Sequence, residues 1–135
     1  MPLTLQQTIK KPWGKEVLLT PPDSPYVSKL LYINAGARLS LQYHDEKLET
    51  QCLVSGQVKL WLENEAGEME AIEMEPAAGY TIPVNRRHRL EAVSDSVVFE
   101  ASTPETGITV RVEDDFDRPD ETEEVRNSNN RGWNE

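Results

Sequence analysis

The run Gly36-Ala-Arg-Leu-Ser-Leu-Gln42-Tyr-His44-Asp-Glu-Lys-Leu-Glu49-Thr-Gln-Cys-Leu-Val-Ser-Gly56 carries a period-two pattern, with Leu39 and Leu41 alternating with Ser40 and Gln42. That alternation predicts a strand with one apolar and one functional face. On such a strand Gln42 and His44 share a face with Ser40, opposite the leucines, while Tyr43 points the other way as packing. Glu49 follows a short polar turn and opens the next strand, so one hairpin would supply three polar side chains to one place. A second run, Gly79-Tyr-Thr-Ile-Pro83-Val-Asn-Arg-Arg-His88, holds the other of the chain's two histidines. A closed β fold is what brings a residue so distant in sequence to the same interior point. Two imidazoles, a carboxylate and an amide oxygen form a mixed nitrogen and oxygen set suited to Zn²⁺, Fe²⁺, Mn²⁺ or Ni²⁺. Gln42 is either a weak neutral ligand or a polar side chain lining the cavity.

Working outward, short apolar runs recur at regular spacing. Strands are expected at residues 16–20, 26–34, 51–55, 57–63, 70–74, 80–82, 89–93, 97–101 and 108–112, with turns at Pro21-Pro22, Ala35-Gly36 and Asn64-Glu-Ala-Gly67. The pattern is that of an all-β antiparallel sandwich or barrel of jelly-roll type. No segment has a 3.6-residue apolar repeat, and there is no internal repeat. Residues 1–12 are polar and read as an N-terminal arm, and residues 13–118 read as one domain. Residues 119–135, rich in carboxylates and asparagine, read as a flexible acidic and polar tail, with Trp133 a possible anchor. The acidic run lacks the spaced ligands and central glycine of an EF-hand calcium loop.

Composition narrows the function classes. A chain of 135 residues with 37% hydrophobic content and nine prolines suits one small core with many turns. The formal net charge of −10 opposes a phosphate backbone, and the Arg86-Arg87-His88-Arg89 cluster is too short to reverse that, so no nucleic acid is expected. Arg89, next to an inward ligand, is expected to face outward. The single Cys52 has no internal disulfide partner and reads as a buried reduced thiol in a cytoplasmic protein. No apolar run is long enough for export or for crossing a membrane.

The frame around Gln42, His44, Glu49 and His88 resembles the two motifs of the cupin superfamily. Further segments narrow the resemblance: Lys11-Pro-Trp-Gly14, Val54-Ser-Gly56, Ile82-Pro83, His88-Arg-Leu-Glu91 and Val110-Arg-Val-Glu-Asp-Asp-Phe-Asp-Arg118. Together they resemble the cupin part of type II mannose-6-phosphate isomerases over roughly residues 10–118. The resemblance implies a cupin-type jelly-roll barrel, supports ligation by Gln42, and points to a divalent metal, zinc foremost. It also implies a sugar or sugar phosphate as ligand and a homodimer in which edge strands and the arm complete a neighbour's sheet. The chain departs from these isomerases at Asp45-Glu46-Lys47-Leu48 and at Thr50-Gln51, where histidines, arginine and tryptophan are usual. The mouth of the site is therefore differently charged.

With one carboxylate among the ligands, a bound dication would keep a net charge of about +1 and attract an anionic or oxygen-rich ligand. Aldose–ketose isomerisation further needs a proton-transferring group and cations for a phosphate. Lys29 and Arg111 are the candidates. Lys29 would act as acid/base partner or phosphate holder, and Arg111 would grip phosphate by a bidentate pair. The alternative is a non-catalytic carbohydrate-binding or regulatory cupin, and a third reading is a metal-dependent lyase or epimerase acting on a sugar acid. A second inward carboxylate or lysine near the metal would favour an enzyme over a binding module.

Overall fold

The computed structural model describes residues 4–129 and 131. Eleven strands occupy them: β1 Gln7–Lys11, β2 Gly14–Leu18, β3 Val27–Ile33, β4 Leu41–His44, β5 Glu49–Ser55, β6 Val58–Glu63, β7 Met69–Glu73, β8 Gly79–Ile82, β9 His88–Ala92, β10 Ser96–Ser102 and β11 Thr109–Glu113, followed by one turn of helix, α1 Glu123–Arg126. They form two antiparallel sheets, ordered β1-β2-β3-β10-β5-β8 and β11-β4-β9-β6-β7. The architecture is the expected jelly-roll barrel. No helix among the described residues is long and apolar enough to cross a membrane.

Each inward face changes character along its strands. On β3 the inward series runs Lys29, Leu31, Ile33; on β10 it runs Glu100, Val98; on β5 it runs Glu49, Gln51, Leu53. The opposite sheet does the same, with Gln42 and His88 in register at one end and Leu90, Leu60 and Val58 buried at the other. One half of the barrel is thus an apolar core whose buried cluster also includes Trp13, Met74 and Ile82. The other half is polar. Because side chains alternate with a strict period of two, every polar inward residue at that end is aimed at the same space.

The two end segments are built into the fold as far as they are described. The N-terminal arm is a strand as far as it is described: β1 pairs with β2 from Gln7 opposite Leu18 to Lys11 opposite Gly14. Gly14 makes the tight link possible, since a Cβ there would overlap the Tyr32 carbonyl oxygen. The flexible tail is docked from residue 119 to the last described positions. Thr109 and Glu121 exchange backbone hydrogen bonds at 2.9 Å in both directions, and Arg111 N donates to Asp120 Oδ1 at 2.8 Å. This strap covers the open edge of β11, which would otherwise leave ladder groups unpaired. Trp133 lies outside the described residues.

Arg89 leaves the ligand face as expected but is only 6% exposed. Its Nε donates to the Leu39 carbonyl at 3.0 Å, and Glu113 and Asp115 lie 3.8 and 3.9 Å from its guanidinium. A segment crossing the outer face covers it. Cys52 is free but only half-buried, because it is paired with Phe99 and Gly79 on the outward face of its sheet.

Candidate metal centre

His44 ends β4, Glu49 opens β5 and His88 opens β9, and ligand atoms from the three lie within 4.8 Å of one another. Glu49 Oε1 is 2.8 Å from His88 Nε2 and 3.3 Å from His44 Nε2. All three residues are buried, with Glu49 and His88 each 2% exposed. None of these three atoms has an aligned hydrogen-bond partner among the described residues. Buried polar atoms without partners are costly, and three that converge on one point suit a bound cation.

The other imidazole nitrogens are occupied. His88 Nδ1 lies 2.9 Å from the Arg86 carbonyl, which can only accept, so Nδ1 carries the proton and Nε2 presents its lone pair inward. His44 Nδ1 lies 2.9 Å from Thr109 Oγ1 and is oriented in the same sense. Gln42 lines the adjoining cavity on the same face, and its Oε1 accepts from Ser40 Oγ at 2.6 Å. The donor set fits a borderline dication of the zinc type.

Glu49 would be raised by burial alone, but Lys47 and the two histidines hold it well below the usual carboxylate range. Burial lowers His44, with Glu49 opposing, whereas for His88 the closer Glu49 carboxylate outweighs burial and raises it. The site is thus built around an ionised Glu49.

Several residues beyond those expected meet here. Lys47, in the segment that departs from the isomerases, is buried with Nζ 3.3 Å from Glu49 Oε2 and 3.4 Å from Glu100 Oε2. Glu100 also accepts from Gln51 Nε2 at 3.2 Å and lies 3.4 Å from Lys29. Burial and the Glu49 charge push the Glu100 carboxyl up, against both lysines. Lys29 is held by Glu105 at 2.7 Å and Glu16 at 2.8 Å, and these carboxylates keep it protonated, well above its ordinary value, despite burial. Arg111 lines the same cavity 3.7 Å from Glu121, and burial lowers it. One signal for Glu100 was present in the sequence, a lone carboxylate inside the apolar strand run Val97-Val-Phe-Glu-Ala101. Lys47 had none, since its turn reads as solvated.

Comparisons with known proteins agree with the fold. The family model described as mannose-6-phosphate isomerase C-terminal matches residues 2–119. Among solved structures, the capsular polysaccharide assembling protein CapF from Staphylococcus aureus is similar at TM-score 0.71 and 15% identity, covering 80% of this chain and 32% of that one. KdgF from Halomonas sp. is similar at 0.61 and 20% identity, covering 73% and 86%. Oxalate decarboxylase from Bacillus subtilis follows at 0.66 and 16% identity, covering 79% and 30%. The chain thus spans about a third of CapF and of the decarboxylase. These likenesses concern the fold. A comparison with curated protein sequences finds no match.

Proposed function

Since the chain belongs to the mannose-6-phosphate isomerase C-terminal family, a family of cupins, we propose that it is a metal-dependent isomerase of a phosphorylated sugar, of mannose-6-phosphate type. The observation that carries this reading is Glu100, a second inward carboxylate beside the metal-ligand cluster that is not itself one of the convergent ligands. His44, Glu49 and His88, with Gln42 as a fourth candidate, would hold a divalent ion, zinc foremost and iron, manganese or nickel by the same donor chemistry. Such an ion supplies Lewis acidity to neighbouring hydroxyl and carbonyl oxygens.

The chain's own residues provide the rest. Isomerisation moves one proton from C2 to C1 and one between the two oxygens, with no redox partner. Glu100 faces the cavity and is the group best placed to take and return the carbon-bound proton. Lys29, pinned by three carboxylates, serves as a fixed cation that positions Glu100 and is a poor proton donor. Arg111 is the phosphate-gripping candidate. A cytoplasmic homodimer assembled through its edge strands belongs to the same proposal, and sedimentation of the purified protein would test the dimer.

One observation favours the non-catalytic carbohydrate-binding alternative. The cavity measures about 60 Å³, room for roughly two waters at liquid density, which is less than a hexose phosphate needs without movement of its walls. The metal-loaded protein is expected to interconvert mannose 6-phosphate and fructose 6-phosphate and to exchange the substrate C2 proton with solvent. Glu100→Gln should keep its metal and lose turnover by about a hundred-fold or more. Fully metallated protein with neither turnover nor exchange across several hexose and pentose phosphates would replace the isomerase with the binding module.

A further inference from the structure

Three lysines line the cavity beside the metal cluster, and they differ in one respect. Lys29 and Lys47 are each clamped by carboxylates at 2.7–3.7 Å. Lys11, buried at the end of β1, makes no side-chain hydrogen bond or ion pair among the described residues. Beside it, two donors are buried and unpartnered, Nε of Arg111 and Nε of Arg131, and both residues line the same cavity. Arg131 comes from the strap. The carboxylates that face Lys11 are committed elsewhere. Glu16 is held by Lys29 at 2.8 Å and Arg131 at 3.1 Å, and Glu121 by Arg131 at 2.6 Å.

We infer that Lys11, Arg111 and Arg131 form an oxyanion subsite of the metal cavity, closed by the C-terminal strap, that takes the phosphoryl or carboxylate group of a metal-bound sugar. The inference rests on the proposed sugar-phosphate chemistry for the identity of the ligand, but not for the existence of the subsite. Buried donors without acceptors are costly, and an anion that accepts from both Nε groups beside the Lys11 ammonium recovers that cost. Charge points the same way. With Arg118 set against its partner Asp114, the cavity lining holds five cations against four carboxylates, and Glu49 of the metal cluster is the fifth, so the charge of a bound dication is left for an anionic ligand. Lys11 is also held down to about 8 by burial, with Arg131 and Lys29 adding to the effect and Glu16 and Glu121 opposing it. An anion set against this amine would raise it again, so binding must take up protons.

Inorganic sulfate tests this on the metal-loaded full chain, because it presents tetrahedral oxygens and has no proton to exchange near neutral pH. Calorimetric titration at pH about 8, in two buffers of different ionisation heat, reads affinity and proton uptake together. Wild-type protein should bind sulfate with uptake of a fraction of a proton. Lys11→Met should weaken binding about ten-fold and abolish uptake, while Lys11→Arg should restore affinity without uptake, since a guanidinium stays charged. Arg131→Met should weaken binding by a similar factor with uptake retained. No sulfate binding by wild-type protein, or unchanged affinity and uptake in Lys11→Met, would overturn the inference. Competition by a hexose 6-phosphate against a hexuronate then distinguishes a phosphoryl from a carboxylate ligand. Sulfate binding with proton uptake in a protein that isomerises nothing would leave the subsite standing and remove only the isomerase.

Discussion

Glu49 carries the centre at the scale of single residues. Its Oε1 faces both histidines and its Oε2 faces Lys47, so one carboxylate links the ligand cluster to the buried charges behind it. Replacing His44, Glu49 or His88 by alanine should remove bound divalent metal as read by elemental analysis. Thr109→Val deletes only the hydroxyl behind His44 Nδ1, and should leave a folded protein whose metal affinity falls by about 10–100-fold. Equal metal in wild type and all four variants would refute the assignment. Gln42 is the informative intermediate. If its oxygen stays with Ser40 Oγ, Gln42→Ala changes affinity little; if the amide turns to the ion, the loss approaches that of a histidine variant.

Among the elements, the strap departs most from what composition suggests. A segment of carboxylates and asparagines has little apolar surface to bury, yet Glu121 is buried and bridges to Thr109 while Arg126 Nη2 donates to the Gly107 carbonyl at 3.0 Å. The docking is polar. It uses an open ladder edge and the cations around the cavity, which no property of the segment itself displays. Truncation after Arg118 should therefore lower the melting temperature by more than about 5 °C, corresponding to roughly a kcal/mol or more for a domain of this size. An unchanged melting curve would mean that these contacts contribute nothing net, as exposed ion pairs often do.

At the scale of the whole molecule, half of a small barrel is filled with charge, and stability must depend on pH. Burial raises Glu16, but Lys29, Lys11 and Arg131 outweigh it and bring the carboxyl from 4.5 down to about 2. A carboxyl depressed in the folded state binds its proton more readily when unfolded, so between those values the unfolded chain holds more protons and stability rises with pH. The contribution is fully present above pH 4.5 and is lost as pH falls through about 2. Glu100, displaced upward, works in the opposite sense. Urea midpoints of chelator-treated protein should fall over this acid range, and Glu16→Gln should flatten the slope. An identical slope in the variant would show that Glu16 is not the group responsible.

The division between sequence and tertiary structure follows from the range of the signals. Strand positions, the jelly-roll class and the three residues of the candidate metal cluster were legible in the chain, because period-two alternation is local and because the two histidines and Glu49 keep family spacing across two strand openings. Lys29 and Arg111 were legible as candidate cations of the site, but their partners were not. What only the tertiary structure decided is the pairing of charge. Lys47 sits in a polar turn, Glu105 in a loop and Arg131 in an acidic tail, and each reads as solvated on its own. They meet because two antiparallel sheets close over one cavity and bring together segments up to 115 residues apart, as with Glu16 and Arg131. A charged side chain carries no mark of burial in the sequence; its burial is set by partners that the folded barrel alone supplies.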